Sequence, residues 1–239
     1  MIKEWAYLLE TSENYRLNLQ AEQMEQFVLF LKLLQEWNTK MNLTAIDDDE
    51  GIIIKHFIDS LIFLKKIDIK NQWYILDLGT GAGFPGIPLK IWRPELEIVL
   101  VDSLQKRINF LREIVERLNL TKVKLIHGRA EDLAQMEDYR EKFDCVVSRA
   151  VANLRVLSEY CLPFVKIGGF FAGAKGPDLK QELMDAHKAI LILGGQVAEE
   201  EYYELPYLRE QRSLIKIAKI KSTPKKYPRK AGMPSKKPL

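Results

Sequence analysis

The residues best suited to chemistry fall at four points of the chain. Asp77, Gly79, Gly81 and Gly83 form the pattern D-x-G-x-G-x-G, with Phe84 and Pro85 directly after it. Asp102 stands nineteen residues beyond Gly83, Ala130 and Glu131 lie in HGRAED, and Ser148 and Arg149 lie in FDCVVSRAVA. Glycines at alternate positions serve a tight turn whose backbone angles are forbidden to residues with a Cβ, and they let a ligand approach bare backbone. A helix starting at such a turn offers free N–H groups, and Pro85 suits its first turn. The dinucleotide frame G-x-G-x-x-G fails: counted from Gly79 the sixth residue is Phe84, and counted from Gly81 it puts Pro85 inside the turn. An acid at Asp102 accepts hydrogen bonds from both hydroxyls of a ribose. The alternative is a cap on the following helix, a role Ser103 competes for. Ala130 and Glu131 read either as a ligand-facing loop or as a helix N-terminus. Arg149 ends a strand where the crevice of an open parallel sheet lies, which makes it a positioning residue; a surface salt bridge is the alternative.

These points need elements to hold them. Residues 1–70 read as helical. Gln20–Trp37 repeats Met24, Phe27, Val28, Leu31, Leu34 and Trp37 at spacings of three and four. Asn38 and Asn42 break that helix, and Asp47–Glu50 place negative charge at the start of the next. There His56 and Asp59 sit three apart, which reads as a helix-surface pair, with a substrate-facing pair as the alternative. From residue 73 strands alternate with helices, predicting strands at 73–78, 98–101, 123–126, 143–148 and 169–174 and helices at 104–119, 152–165 and 178–193. Segments 196–203 and 212–220 read as a terminal antiparallel pair. The organisation expected is a helical extension (1–70), an α/β domain (71–220) and a tail (221–239).

Composition bounds the rest. The 239 residues suffice for a sizeable core. No stretch is apolar enough to span a membrane and no secretory leader is visible, so a cytoplasmic protein without a membrane partner is expected. Cys145 and Cys161 stand alone in apolar settings, and no His/Cys cluster occurs, so neither metal nor disulfide is expected. The net charge of +3 hides an asymmetry: residues 221–239 hold seven of the 36 cations and no acid, leaving 29 cations against 33 acids, a net of −4. A basic tail on an acidic body points to a polyanion, or else to a solvated terminus.

The turn at 77–83 resembles motif I of class I S-adenosylmethionine-dependent methyltransferases. In that class the loop holding Ala130 and Glu131 sits over the adenine. WNTKMNLTAI (37–46), KHFIDSL (55–61), LDLGTGAGFPGIPLKI (76–91), VDSLQKRINFL (101–111), GRAED (128–132), SRAVANL (148–154) and TPKKYPRKAGMPSKKPL (223–239) together resemble the bacterial 16S ribosomal RNA guanine-N7 methyltransferase family, also called the glucose-inhibited division protein B family. The resemblance implies a Rossmann-like α/β fold: a mostly parallel seven-stranded sheet with a terminal antiparallel hairpin and an N-terminal helical extension. It implies a monomer, without an obligate protein partner, that methylates a guanine N7 of 16S rRNA or the small ribosomal subunit with S-adenosylmethionine. By matching motif Gly79, Phe84, Ala130, Glu131 and Arg149 fall on cofactor positions, beside Asp77, Gly81, Gly83 and Asp102. Arg149, the candidate catalytic residue, grips either the methionine carboxylate or a guanine edge or phosphate. No D/N-P-P-aromatic motif follows the fourth strand; a ring nitrogen carries its own lone pair and needs positioning more than a base. The alternatives are a methyltransferase for another RNA, a protein or a small molecule, or a non-catalytic RNA-binding assembly protein. Lys225, Lys226, Tyr227, Arg229, Lys230, Lys236 and Lys237 are the candidate RNA contacts. Four prolines make this tail an irregular strap, with Tyr227 available to stack on a base or pack on the domain, expected to hold RNA and leave cofactor affinity within about twofold; the competing view is that it folds back and completes the domain.

Overall fold

The computed structural model describes residues 5–149 and 152–239. Strand alternation builds its centre. In β1 (Tyr74–Leu78) Ile75 faces one core and Leu76 and Leu78 the other. In β2 (Glu97–Asp102) Ile98 and Leu100 oppose Val99 and Val101 in the same way. A strand apolar on both faces requires helices on both. These strands pair in parallel with β3 (Val123–His127), β4 (Phe143–Arg149) and β5 (Val165–Lys175). The antiparallel β6 (Gly195–Leu205) and β7 (Glu210–Lys219) complete the order β3-β2-β1-β4-β5-β7-β6. The order reverses between β1 and β4, where a crevice opens at the carboxyl ends of the strands.

One face is covered by α5 (Gly86–Trp92), α6 (Gln105–Arg117) and the extension; the other by α8 (Leu154–Cys161) and α9 (Leu179–Ile192). The extension comprises α1 (Trp5–Asn14), α2 (Ala21–Asn38), α3 (Asp49–Ile52), a π-helical turn Ile53–Ile58 and α4 (Asp59–Lys66). α2 buries Phe27, Phe30, Leu31, Leu33 and Leu34, while Met24, Val28 and Trp37 are only partly covered. Its polar side is used too: Gln23 Nε2 donates to the carbonyls of Ile91 and Trp92 at 2.7 and 3.0 Å, and Gln26 Nε2 to that of Leu118 at 2.9 Å. These carbonyls end α5 and α6, where no intrahelical donor remains. Asp48 Oδ1 caps α3 through the Gly51 N–H at 2.7 Å. Among the described residues no helix is long and apolar enough to cross a membrane.

The tail folds back onto the α8 face, irregular except for the single turn α10 (Met233–Lys236). Arg140 donates from Nη2 to the Thr223 carbonyl at 2.8 Å and from Nη1 to the Tyr227 carbonyl at 2.9 Å. Arg229 forks onto the buried carboxylate of Glu159, Nε–Oε1 2.9 Å and Nη2–Oε2 2.6 Å. Tyr227 is buried with Leu157 and Cys161. The tail thus takes the competing arrangement, folded back on the domain: of the two alternatives for Tyr227 its ring takes the packed one, and the Arg229 guanidinium pairs with Glu159.

Candidate functional site

The glycine turn opens a cleft of about 620 Å³ that crosses the carboxyl ends of β3, β2, β1 and β4. Gly81 lies at φ +61°, and a Cβ built there would meet nothing nearer than the Gly79 carbonyl oxygen at 4.0 Å. A side chain at 81 would fill the cleft instead of the core, so the bare backbone is a cradle of the kind a nucleoside needs. Gly83, at φ +91°, is different: its Cβ would fall 2.6 Å from Ile87 Cγ1 and 3.0 Å from Leu111 Cδ2. Gly83 is required by the packing of α5 on α6 and does not line the cleft.

Asp77 is corrected as well. Alternation puts it on the Ile75 face, wholly buried beneath the turn. Its Oδ2 accepts from Thr80 Oγ1 at 2.7 Å and from the Gly86 N–H at 2.8 Å, while Oδ1 has no partner. Burial pushes its carboxyl up to about 7, against the pull of those two hydrogen bonds. Asp77 shapes the turn from below and does not reach the cleft. Most of the expected free N–H groups are consumed: Gly79 and Thr80 donate to the Val101 carbonyl, Gly81 to Asp102, Gly83 and Phe84 to the Thr80 carbonyl and Gly86 to Asp77, which leaves the Ala82 N–H as the donor of the turn at the cleft without a partner among the described residues. The turn serves by leaving room.

At the β2–β3 end, Asp102 is buried but lines the cleft. Its Oδ2 accepts from the Gly81 N–H at 2.9 Å and Arg107 Nη1 at 3.3 Å, and its Oδ1 from the Leu104 N–H at 2.9 Å. Asp102 thus ties the turn to the start of α6 itself. The expectation that Ser103 would take the capping role is not met, since α6 has no side-chain cap. Ala130 and Glu131 open the short helix α7 (Ala130–Leu133) and line the cleft. Glu131 Oε1 accepts from the Gly232 N–H at 2.9 Å, and Gly232 also lines the cleft. The tail is part of its wall.

At the β4 end, Phe84 and Arg149 line the cleft with Thr44 and His56 from the extension. Arg149 Nη1 donates to the Lys55 carbonyl at 3.0 Å and lies 3.4 Å from Asp59 Oδ2; Nη2 donates to His56 Nδ1 at 3.0 Å. His56 stacks on Phe84 with centroids 4.6 Å apart, and the Arg149 guanidinium lies 5.1 Å from the same ring. Burial, reinforced by Arg149, pulls the imidazole down to about 3. Asp59 is buried and takes hydrogen bonds from Arg212 Nε and the Tyr203 hydroxyl. The surface reading of His56 and Asp59 is therefore wrong: both face inward onto Arg149. Arg149 in turn joins the sheet to the extension, beyond the positioning role expected of it. Thr44 escaped sequence reasoning, although its loop is pinned by Asn38, whose Oδ1 accepts the N–H groups of Leu43 and Thr44 at 2.8 and 3.0 Å.

Of the residues expected at the cofactor, Gly79, Gly81, Phe84, Asp102, Ala130, Glu131 and Arg149 meet in this cleft; Asp77 and Gly83 do not. Lys225, Lys226, Lys230, Lys236 and Lys237 are exposed outside it. Both cysteines are buried and free.

Comparison with known proteins agrees with this architecture. A SAM dependent methyltransferase from Aquifex aeolicus superposes with a TM-score of 0.53 at 18% identity, covering 78% of this chain and 98% of that one. TrmN from Thermus thermophilus gives 0.53 at 16%, covering 68% and 48%. Likeness at such identity speaks for the fold. Two sequence relatives are much nearer. The ribosomal RNA small subunit methyltransferase G of Alkaliphilus oremlandii is 50% identical over 97% of both chains. That of Acetivibrio thermocellus is 51% identical over 97% of this chain and 95% of its own. The model of the family described as GidB, rRNA small subunit methyltransferase G, matches residues 23–214, and the chain belongs to that family.

Proposed function

We propose that the protein transfers a methyl group from S-adenosylmethionine to N7 of one guanine of 16S rRNA. The observation that carries this reading is a cleft with a nucleoside cradle at one end and, at the other, aromatic and hydrogen-bonding groups without an available base. When bound, the cofactor supplies an electrophilic sulfonium methyl. Gly79 and Gly81 would leave room for it, Asp102 would accept from its ribose, and Ala130 and Glu131 would flank its adenine. Phe84 and Arg149 stand where the reacting groups would meet. Among the described lining residues, His56 Nδ1 is occupied by Arg149, and the carboxylates of Asp102 and Glu131 lie at the β2–β3 end of the cleft, away from Phe84 and Arg149. A guanine N7 needs no deprotonation before attack, so orientation in the cleft suffices. Lys225, Lys226, Lys230, Lys236 and Lys237 supply the phosphate contacts expected of an RNA enzyme. The test is incubation of the full-length protein with labelled S-adenosylmethionine and 16S rRNA or small subunits from cells lacking the enzyme, with the label mapped. One guanine N7 should become labelled; label in protein only, or none in RNA with intact cofactor binding, would overturn the proposal.

A further inference from the structure

The β4 end of the cleft contains a directed chain of hydrogen bonds that the transfer reaction alone does not explain. An arginine can only donate. With Arg149 Nη2 3.0 Å from His56 Nδ1, that nitrogen must accept. A neutral imidazole then carries its proton on Nε2, which lies 2.8 Å from Thr44 Oγ1 and must donate to it. The low imidazole pKa agrees with a neutral ring. Thr44 Oγ1 also accepts the Ile46 N–H at 3.1 Å. A hydroxyl has two acceptor sites and one proton. Both acceptor sites are used, and the proton has no acceptor among the described residues. Thr44 lines the cleft beside His56, Phe84 and Arg149. Its hydroxyl is therefore held as a donor with its proton left for something in the cleft.

We infer that Thr44 is a specificity-determining residue that donates a hydrogen bond to O6 of the guanine presented for methylation. This rests on the guanine-N7 reading above. On the edge that carries N7, guanine offers the O6 acceptor, whereas adenine offers an N6 amino donor. A fixed donor beside the methyl-transfer point accepts the first and repels the second. Arg149 is the origin of the chain: three of its five N–H groups go to the Lys55 carbonyl, Asp59 Oδ2 and His56 Nδ1, and the last of these sets the direction that ends at the Thr44 proton. His56 acts through Thr44 and is a positioning residue.

The experiment is single-turnover methylation by full-length wild type, Thr44→Val and Thr44→Ser. The substrate is 16S rRNA carrying guanine or 2-aminopurine, which keeps N7 and lacks O6, at the mapped position. Thr44→Val should be slowed roughly tenfold on guanine, and Thr44→Ser should recover most of the rate. Wild type should be slowed to a similar extent by 2-aminopurine, and Thr44→Val should lose little more on that RNA. S-adenosylmethionine affinity should stay within about twofold in calorimetry. Wild type reacting equally fast with both bases overturns the assignment without recourse to any variant. So do losses that multiply across enzyme and RNA, and so does a tenfold loss of cofactor affinity in Thr44→Val, which would move the donor to the cofactor carboxylate. If wild type methylates RNA anywhere but a guanine N7, the functional reading itself falls, and this assignment with it.

Discussion

The N-terminal extension and the C-terminal tail reach the same cleft from opposite ends by different physics. The extension is held by apolar burial. Phe57 is fully buried, with ring centroids 5.1 Å from Phe27, 5.3 Å from Phe30 and 6.0 Å from Phe84, and these rings share one core with Ile75 and Leu111 of the α/β frame. The tail buries Tyr227, Pro228 and Pro234 but has no comparable aromatic cluster, and it leans on polar contacts: Arg140 to three of its carbonyls, Arg229 to Glu159 and Gly232 to Glu131. A wall built from core packing belongs to the global unfolding unit, whereas one built from hydrogen bonds and ion pairs can open by itself. The Thr44 end of the cleft should therefore be lost only with the fold, and the Glu131 end separately from it.

The largest effect should come from Phe57→Ala, which leaves a cavity among three rings and should cost about 3–5 kcal/mol in denaturant unfolding. An unchanged midpoint would show that the extension is not part of the cooperative core. Deleting the residues after Lys221 should come next. It leaves the buried Glu159 unpaired, at a cost of up to ~3–5 kcal/mol, and removes Gly232 from the cleft. Melting should occur earlier and S-adenosylmethionine binding should weaken severalfold. A truncated protein with normal melting and cofactor affinity would restore the independent strap. By contrast, changing Lys225, Lys226, Lys230, Lys236 and Lys237 together to Gln should leave both properties intact. The log–log salt slope of RNA binding should then flatten by roughly 3, the change expected when about four phosphate contacts are lost.

Smaller effects sharpen the comparison at single residues. Gly81→Val should weaken S-adenosylmethionine at least tenfold, about 1.4 kcal/mol, because its side chain enters the cleft; calorimetry with unchanged affinity would remove this turn from the cofactor site. Two inward-facing titrating groups should respond to pH in opposite directions. His56 falls from 6.5 to about 3 on folding, so its neutral form supports the fold fully above 6.5, and that support is lost as pH falls below it. Asp77 rises from 3.8 to about 7, so its contribution to stability declines as pH increases from about 3.8 through 7. Each slope is at most about 1.4 kcal/mol per pH unit. Relative to wild type, His56→Gln should gain on acidification from pH 7 to 5, and Asp77→Asn should gain as pH rises from 5 to 8. Parallel stability curves for wild type and variant would refute either assignment.

What local patterns control was readable in the sequence. The seven strands, the order of strand, glycine turn and helix at 74–92, and the acid ending β2 all follow from period-2 and period-3.6 patterning and from the backbone angles glycine permits. Seven of the nine residues expected at the cofactor meet in the cleft for that reason: alternating strands deliver their ends to one edge. Spacing states which residues share a face; it does not state what lies against that face. His56 and Asp59 are spaced as a surface pair would be, and only the packing of the π turn against Arg149, some 90 positions later, turns them inward. Asp77 looked like a ligand residue until alternation and the bare Cα of Gly86 placed it under the turn, where a Cβ at 86 would lie 2.7 Å from its Oδ2. The tail's charge reads as exposed, yet Arg140, Glu159 and Glu131, far off in sequence, draw Tyr227, Arg229 and Gly232 onto the domain. Thr44 needed most help of all: its role as a donor depends on His56 and Ile46 taking both acceptor sites and on Arg149 fixing the direction of the imidazole, and that direction exists only once distant segments meet.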